Sequence, residues 1–173
     1  CIRIEENHSN ATPRNFSGKA DGTFQNTAVF AGSYKVLPIN GAFFTPDTAI
    51  VNVSGVTTVD FTVTPFLRVD ATATTVSGGV VLKYKISRSA ASGKIMERKA
   101  VAFQSDKVSS TVFNAQVTTN LSAIPDEDIL DTEFTDTITG LESGKTYYVR
   151  VAAKTNNSNI EYNYSEIIQI TVP

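Results

Sequence analysis

Leu141-Glu142-Ser143-Gly144-Lys145-Thr146-Tyr147-Tyr148-Val149-Arg150-Val151 is a turn running into a strand. Ser143-Gly144 supplies the turn, since glycine enters positive φ without steric cost. Beyond it the side chains alternate. Tyr147, Val149, Val151 and Ala153 share one face, while Tyr148, Arg150 and Lys154 lie on the other. An apolar face backed by a polar one predicts a strand with one side in a core. A tyrosine just past such a turn can pack its ring in the core while its hydroxyl bonds backbone upstream. That arrangement pins the crossover between two sheets.

The same period of two recurs upstream. Leu67, Val69 and Ala71 alternate with Arg68 and Asp70. After Gly78-Gly79, Val80, Leu82, Tyr84 and Ile86 share a face, with Lys83, Lys85 and Ser87 opposite. Residues 95–104 read as a further strand with Val101 and Phe103 inward, and Lys94, Arg98 and Lys99 as one solvated face. Residues 108–121 are Ser/Thr-rich strand and loop, and Pro125 to Asp131 is a single helical turn. The series closes with Phe134–Thr139, Thr146–Lys154 and Glu166–Val172. Seven short strands in about 105 residues predict an immunoglobulin-like sandwich. Within it, Leu141 and the tyrosine six residues later resemble the E–F corner of fibronectin type III domains. That resemblance concerns fold and is silent on activity.

Ahead of Pro65 lies a separate series. Asp21-Gly22-Thr23-Phe24 reads as a tight turn entering a strand, and Tyr34-Lys35-Val36 alternates up to Pro38. Ile50-Val51-Asn52-Val53 is a strand ended by Gly55, and Val59, Phe61 and Val63 alternate with Asp60, Thr62 and Thr64. The reading is all-β: two consecutive small β-sandwich domains, 1–64 and 65–173, the second immunoglobulin/fibronectin-III-like.

Composition narrows the function. The 173 residues carry a net charge of -2, so no basic stripe is available to follow a nucleic-acid backbone. The single Cys makes no internal disulfide and no zinc cluster. No apolar stretch approaches the roughly 20 residues of a membrane helix. His8 lies in a polar loop, Asn7-His8-Ser9-Asn10, with no Ser or Cys partner to nominate. Asp126, Glu127, Asp128, Asp131, Glu133 and Asp136 form an acidic cluster whose spacing is not that of a calcium loop, and it reads as a solvated face. Ser77-Gly78-Gly79 is too short for a phosphate loop and leads into a strand. Asn10, Asn15, Asn52, Asn120, Asn156 and Asn163 each begin an N-x-Ser/Thr triplet, which a chain this rich in Asn, Ser and Thr produces by chance. We expect no catalytic residue, no metal and no cofactor.

Aromatic rings are what remains for binding, since sugars stack on exposed rings. Trp, the best platform, is absent. The candidates are Tyr148 on the outward strand face, Tyr162 and Tyr164 in the F–G loop, and Phe43 and Phe44 in the Asn40–Pro46 loop.

Longer motifs carry a second resemblance. They are Asp21-Gly22-Thr23-Phe24-Gln25-Asn26-Thr27, Val29-Phe30-Ala31-Gly32-Ser33-Tyr34-Lys35-Val36, Gly41-Ala42-Phe43-Phe44, Asp47-Thr48 and Val59-Asp60-Phe61-Thr62-Val63-Thr64-Pro65-Phe66-Leu67-Arg68-Val69. Together these resemble a family of gut Bacteroidota lipoproteins encoded beside outer-membrane transporter and glycan-binding lipoprotein pairs of the SusC/SusD type. The resemblance implies a first domain similar to the transthyretin-like or carboxypeptidase-regulatory-like sandwich. It also implies an extracytoplasmic place at the outer membrane or cell surface, within a polysaccharide utilisation system. The partners implied are glycan and the transporter pair, with the membrane reached only through a lipid anchor. The resemblance brings no established catalytic residue to carry over. Members have a first strand ahead of the segment matching Ile2-Arg3-Ile4, so residues 1–64 are expected to be one edge strand short. Cys1 runs straight into strand-like Ile2-Arg3-Ile4-Glu5 rather than a flexible tether, which argues against Cys1 as the lipidated residue. The leading expectation is a non-catalytic surface lipoprotein that binds or presents glycan. Its rivals are a structural spacer or adaptor on the uptake complex and an adhesin or fimbrial-type subunit.

Overall fold

The computed structural model describes residues 1–19, 22–157 and 161–173. It divides into two compact units, Cys1–Thr64 and Pro65–Pro173. Among the described residues no helix is long and apolar enough to cross a membrane.

Unit 1 is built on one antiparallel sheet. Strands β1 (Ile2–Glu6), β2 (Arg14–Phe16), β3 (Gly32–Pro38) and β5 (Ala49–Val53) take the order β2-β1-β3-β5. Two-residue strands follow at β4 (Phe43–Phe44) and β6 (Thr64–Pro65), the latter at the junction between the units. One sheet face presents Ile2, Tyr34 and Val36, all buried, together with half-buried Ile4, Val51 and Val53. Phe16, Phe24, Val29, Val59 and Phe61 pack against it.

The facing layer differs from the sequence reading. Val59 and Phe61 turn toward the core and Asp60 and Thr62 away, as the alternation requires, yet 59–63 forms no hydrogen-bonded ladder. Apolar spacing orients side chains, but a strand also needs a neighbour for its backbone groups. Phe24 and Val29 likewise pack toward the core from segments outside any strand. Of the turn expected at Asp21-Gly22, Asp21 lies outside the described residues, and Gly22 takes φ +83°.

Unit 2 contains two sheets. The first has the order β11-β8-β7, from β7 (Arg68–Val76), β8 (Gly79–Ser87) and β11 (Glu133–Thr139). The second joins β10 (Ala115–Asn120), β9 (Ile95–Phe103) and β12 (Thr146–Thr155), with β13 (Asn163–Tyr164) and β14 (Ile168–Thr171) both on the far edge of β12. All these strand pairs are antiparallel. Lettered in chain order, the sheets are A-B-E and C′-C-F-G, the fibronectin type III arrangement. Val80, Leu82, Tyr84 and Ile86 are buried on one side; Val149, Val151 and Ala153 are buried on the other. The acidic turn α1 spans Asp126–Ile129 and buries Ile129.

The corner has the anatomy its sequence predicts. The Tyr147 ring is buried, and its hydroxyl accepts from the Glu142 backbone N–H at 3.2 Å and from Gln104 Nε2 at 3.3 Å. Gly144 takes φ +76°, and its N–H donates to the Val172 carbonyl at 2.8 Å. Tyr147→Phe is expected to cost about 1 kcal/mol, the value of one buried hydroxyl hydrogen bond. Denaturant unfolding measures this, and an unchanged midpoint contradicts the corner role.

Strand β9 departs from expectation in register. Val101 pairs with Arg150 and Phe103 with Tyr148, which puts both on the outer face, while Ala100 and Ala102 face inward against Val151 and Val149. Val101 is nevertheless fully buried, as is Val108 in the 104–114 connection. Arg98 is not part of a solvated face. It pairs with inward Ala153 and reaches between the sheets to Asp136 and the Tyr84 hydroxyl. Lys94 does not share its environment. It binds Asp126 at 2.7 Å, beside Arg88 at 3.2 Å. The acidic cluster is likewise not one solvated face: Asp136 is buried and Asp126 is tied down by two cations.

Candidate binding surface

The outward face of the β10-β9-β12-β13 sheet gathers rings and charges. Alternation on β12 sends Tyr148, Arg150, Ala152 and Lys154 outward. The ladder then sets Phe103 beside Tyr148, Lys99 beside Ala152 and Glu97 beside Lys154. Tyr164 is not in a loop; it pairs with Ala152 as part of β13. Thr118 and Gln116 of β10, both exposed, lie directly across from Lys99 and Val101.

The side chains interlock. The Tyr162 and Tyr164 ring centroids are 6.2 Å apart. Lys154 Nζ sits 5.0 Å from the Tyr162 centroid, and the Arg150 guanidinium lies 4.1 Å over the Tyr164 ring. Lys99 Nζ lies between two rings, 5.7 Å from Phe113 and 5.8 Å from Tyr162. Such cation–π contacts hold the rings and amines in fixed relation. The Tyr162 hydroxyl donates to Glu97, and the Tyr164 hydroxyl donates to Ser110 Oγ at 2.7 Å. Burial, then the bond to Glu97, pushes the Tyr162 phenol well above its ordinary range. Burial lowers the Arg150 pKa, with Tyr164 and Glu166 pulling it back.

The rings named from sequence do not form one site. Tyr148 and Tyr164 share this sheet face of unit 2 through strand pairing, and Tyr162 joins them through its contacts with Glu97, Lys99 and Lys154. Phe43 and Phe44 belong to unit 1. Phe43 lines an opening of about 1230 Å³ over the unit 1 sheet, with Phe16, Phe24, Phe30 and Phe61. A methyl group on Gly41 would run into the Phe43 ring, so glycine is required for that ring to fold back. Phe44 is half-buried in β4. Phe30, on the rim, is 86% exposed. The opening is an apolar sheet face under a partial cover, and its polar rim comes from Lys19, Gln25, Asn26, Thr27 and Asp60. Cys1 is exposed at its edge.

Sequence reasoning passed over Lys99, Phe113, Arg150 and Lys154 as site residues. A usable signal existed for three of them: the β12 alternation already put Arg150 and Lys154 on the face of Tyr148, and the strand period separates Lys99 from Arg98. Neighbouring residues of a strand point to opposite faces, so Arg98 and Lys99 cannot share one.

Elsewhere the titratable groups are spent on structure. His8 is fully exposed, with Nε2 2.7 Å from Glu6 and Nδ1 2.7 Å from the Ser9 carbonyl, and those two acceptors raise its pKa. Asp126 has its pKa lowered: burial acts upward, but Lys94, the Ile95 N–H and Arg88 outweigh it. Among the described residues no group of three or more His, Cys, Asp or Glu side chains is placed to hold a metal ion.

Residues 3–64 match the N-terminal domain of DUF3823, a family described as proteins of unknown function. Three solved structures share the fold of the whole chain. A DUF3823 family protein from Bacteroides uniformis aligns with a TM-score of 0.83 and 22% identity, over 99% of this chain and 88% of its own. Another from Parabacteroides merdae gives 0.77 and 17%, over 98% and 86%. A candidate carbohydrate binding protein from Bacteroides uniformis gives 0.74 and 22%, over 99% and 87%. The family match is confined to the first unit, and the likeness to these structures is one of fold. No functionally curated protein matches.

Proposed function

We propose that the protein is a non-catalytic glycan-binding module of the bacterial cell surface. The observation that carries this reading is the row of tyrosine rings on the outward C′-C-F-G face. Tyr148 and Tyr164 are held there by strand pairing, and Tyr162, just ahead of β13, by its hydroxyl bond to Glu97 and its packing against Tyr164 and Lys154. Rings on strands are pre-positioned, so little ordering entropy is lost on binding. The solved relative described as a candidate carbohydrate binding protein supports the same reading. The resemblance to lipoproteins beside SusC/SusD-type pairs supports an accessory role at the outer membrane, with a lipid anchor and the transporter pair as partners.

A glycan array on the intact protein tests it. At least one bacterial-diet or host polysaccharide is expected to bind, and Tyr162→Ala is expected to weaken that binding about tenfold, or ~1.4 kcal/mol. Absence of binding across the array sinks the reading. It would favour a spacer or adaptor on the uptake complex, which the internally bonded hydroxyls of Tyr162 and Tyr164 suit equally well.

A further inference from the structure

We infer that the saccharide taken by the C′-C-F-G face is acidic, carrying carboxylate or sulfate groups; this rests on the glycan reading above. Three cations stand among the rings: Lys99, Arg150 and Lys154. Among the described residues neither Lys99 nor Arg150 has a carboxylate within 4.0 Å. The Lys99 amine makes one hydrogen bond, to the Ser110 carbonyl at 3.3 Å, although an ammonium has three donors. Its position is set by the Phe113 and Tyr162 rings instead of by a counter-ion.

The carboxylates nearby do not cancel this. Glu97 is paired with Lys154 at 3.9 Å and also accepts the Tyr162 hydroxyl, which leaves Lys99 and Arg150 as the cations of this face without a carboxylate partner among the described residues. Glu166 acts on Arg150 through space, and Glu161, next to Tyr162 in sequence, is exposed. A neutral sugar needs a ring to stack on and hydroxyl-reading groups such as Thr118 and Gln116. It has no use for ammonium groups placed 5–6 Å from the centre of the stacking ring. A sugar bearing an anionic substituent does, because charge-assisted hydrogen bonds are roughly twice as strong as neutral ones. The Lys154 and Glu97 side chains are 27% and 22% exposed, so salt screens these contacts less than it would fully solvated ones.

Titration calorimetry of the intact protein with polygalacturonate, chondroitin sulfate and amylose, at about 0.05 M and about 0.3 M salt, tests the inference. One or both acidic polymers are expected to bind at least tenfold more tightly than amylose, and to weaken at the higher salt. Binding of polygalacturonate alone assigns a carboxylate ligand; binding of chondroitin sulfate alone assigns a sulfated one. Lys99→Gln and Lys154→Gln, checked for unchanged unfolding, are each expected to weaken acidic binding several-fold. Amylose binding as tightly as the acidic polymers overturns the inference and leaves the glycan reading standing. Full acidic affinity in both lysine variants overturns the placement on this face. No binding here or on the array overturns both.

Discussion

Asp136→Ala is expected to destabilise unit 2 by about 3–5 kcal/mol, the cost of leaving a buried cation without its partner. Asp136 and Arg98 meet between the two sheets, with side chains 8% and 13% exposed. The Tyr84 hydroxyl, also buried, donates to Asp136 and accepts from Arg98. Burial raises the Tyr84 phenol pKa strongly, and the bond to Asp136 adds to this, so the phenol keeps its proton. Burial alone would lower the Arg98 pKa, but Asp136 and Tyr84 hold it above its ordinary value. The Phe134 ring lies 4.7 Å under the guanidinium and closes the site. Without the carboxylate, the guanidinium keeps its desolvation cost and loses the interaction that offset it. Arg98 Nε is already buried without a partner. A concerted Tyr84→Phe, Arg98→Met, Asp136→Leu replacement is therefore expected to recover most of the loss. Five of the six tyrosines lie in unit 2, so tyrosine fluorescence during urea unfolding reports this unit. A triple variant as unstable as Asp136→Ala would show that the network contributes more than an apolar core.

Leu82→Ala is the second large effect, at about 2–5 kcal/mol. Leu82 sits on β8, the middle strand of its sheet, paired with Ala73 and Asp136, and is completely buried. The side chain's transfer energy is lost, and a cavity remains because strands on both sides fix the backbone. The contrast is Val76→Ala at the end of β7, where the side chain is 37% exposed and the change is expected to stay within about 0.5 kcal/mol. Equal losses at the two positions would contradict the assigned core.

What could be read from sequence follows how much of each strand's fate is local. The Gly144 turn, Tyr147 and the alternation of β12 needed only a period of two and turn chemistry. The same is true of Val80, Leu82, Tyr84 and Ile86 on β8. Strand β9 misled because Val101 is apolar on the outer face. It is fully buried there, which a period of two does not foretell. Arg98 misled because its partner Asp136 is distant in sequence, and only the paired sheets bring them together. In unit 1 the alternation at Val59 and Phe61 gave the side-chain directions correctly. It could not show that the backbone there lacks a ladder. At the candidate surface the rings and the outward direction of Arg150 and Lys154 were legible, but the contacts of the cations with Tyr162, Tyr164 and Phe113 were not, since they depend on cross-strand register.

The central claim is that the outward C′-C-F-G face is the saccharide surface. Amide chemical-shift mapping on the intact protein, with a short oligosaccharide of the glycan selected on the array, tests it most directly. Shifts are expected at Glu97, Lys99, Thr118, Ala152, Lys154, Tyr162 and Tyr164. Shifts confined to Phe24, Phe30, Phe43 and Phe61 of unit 1 would contradict it.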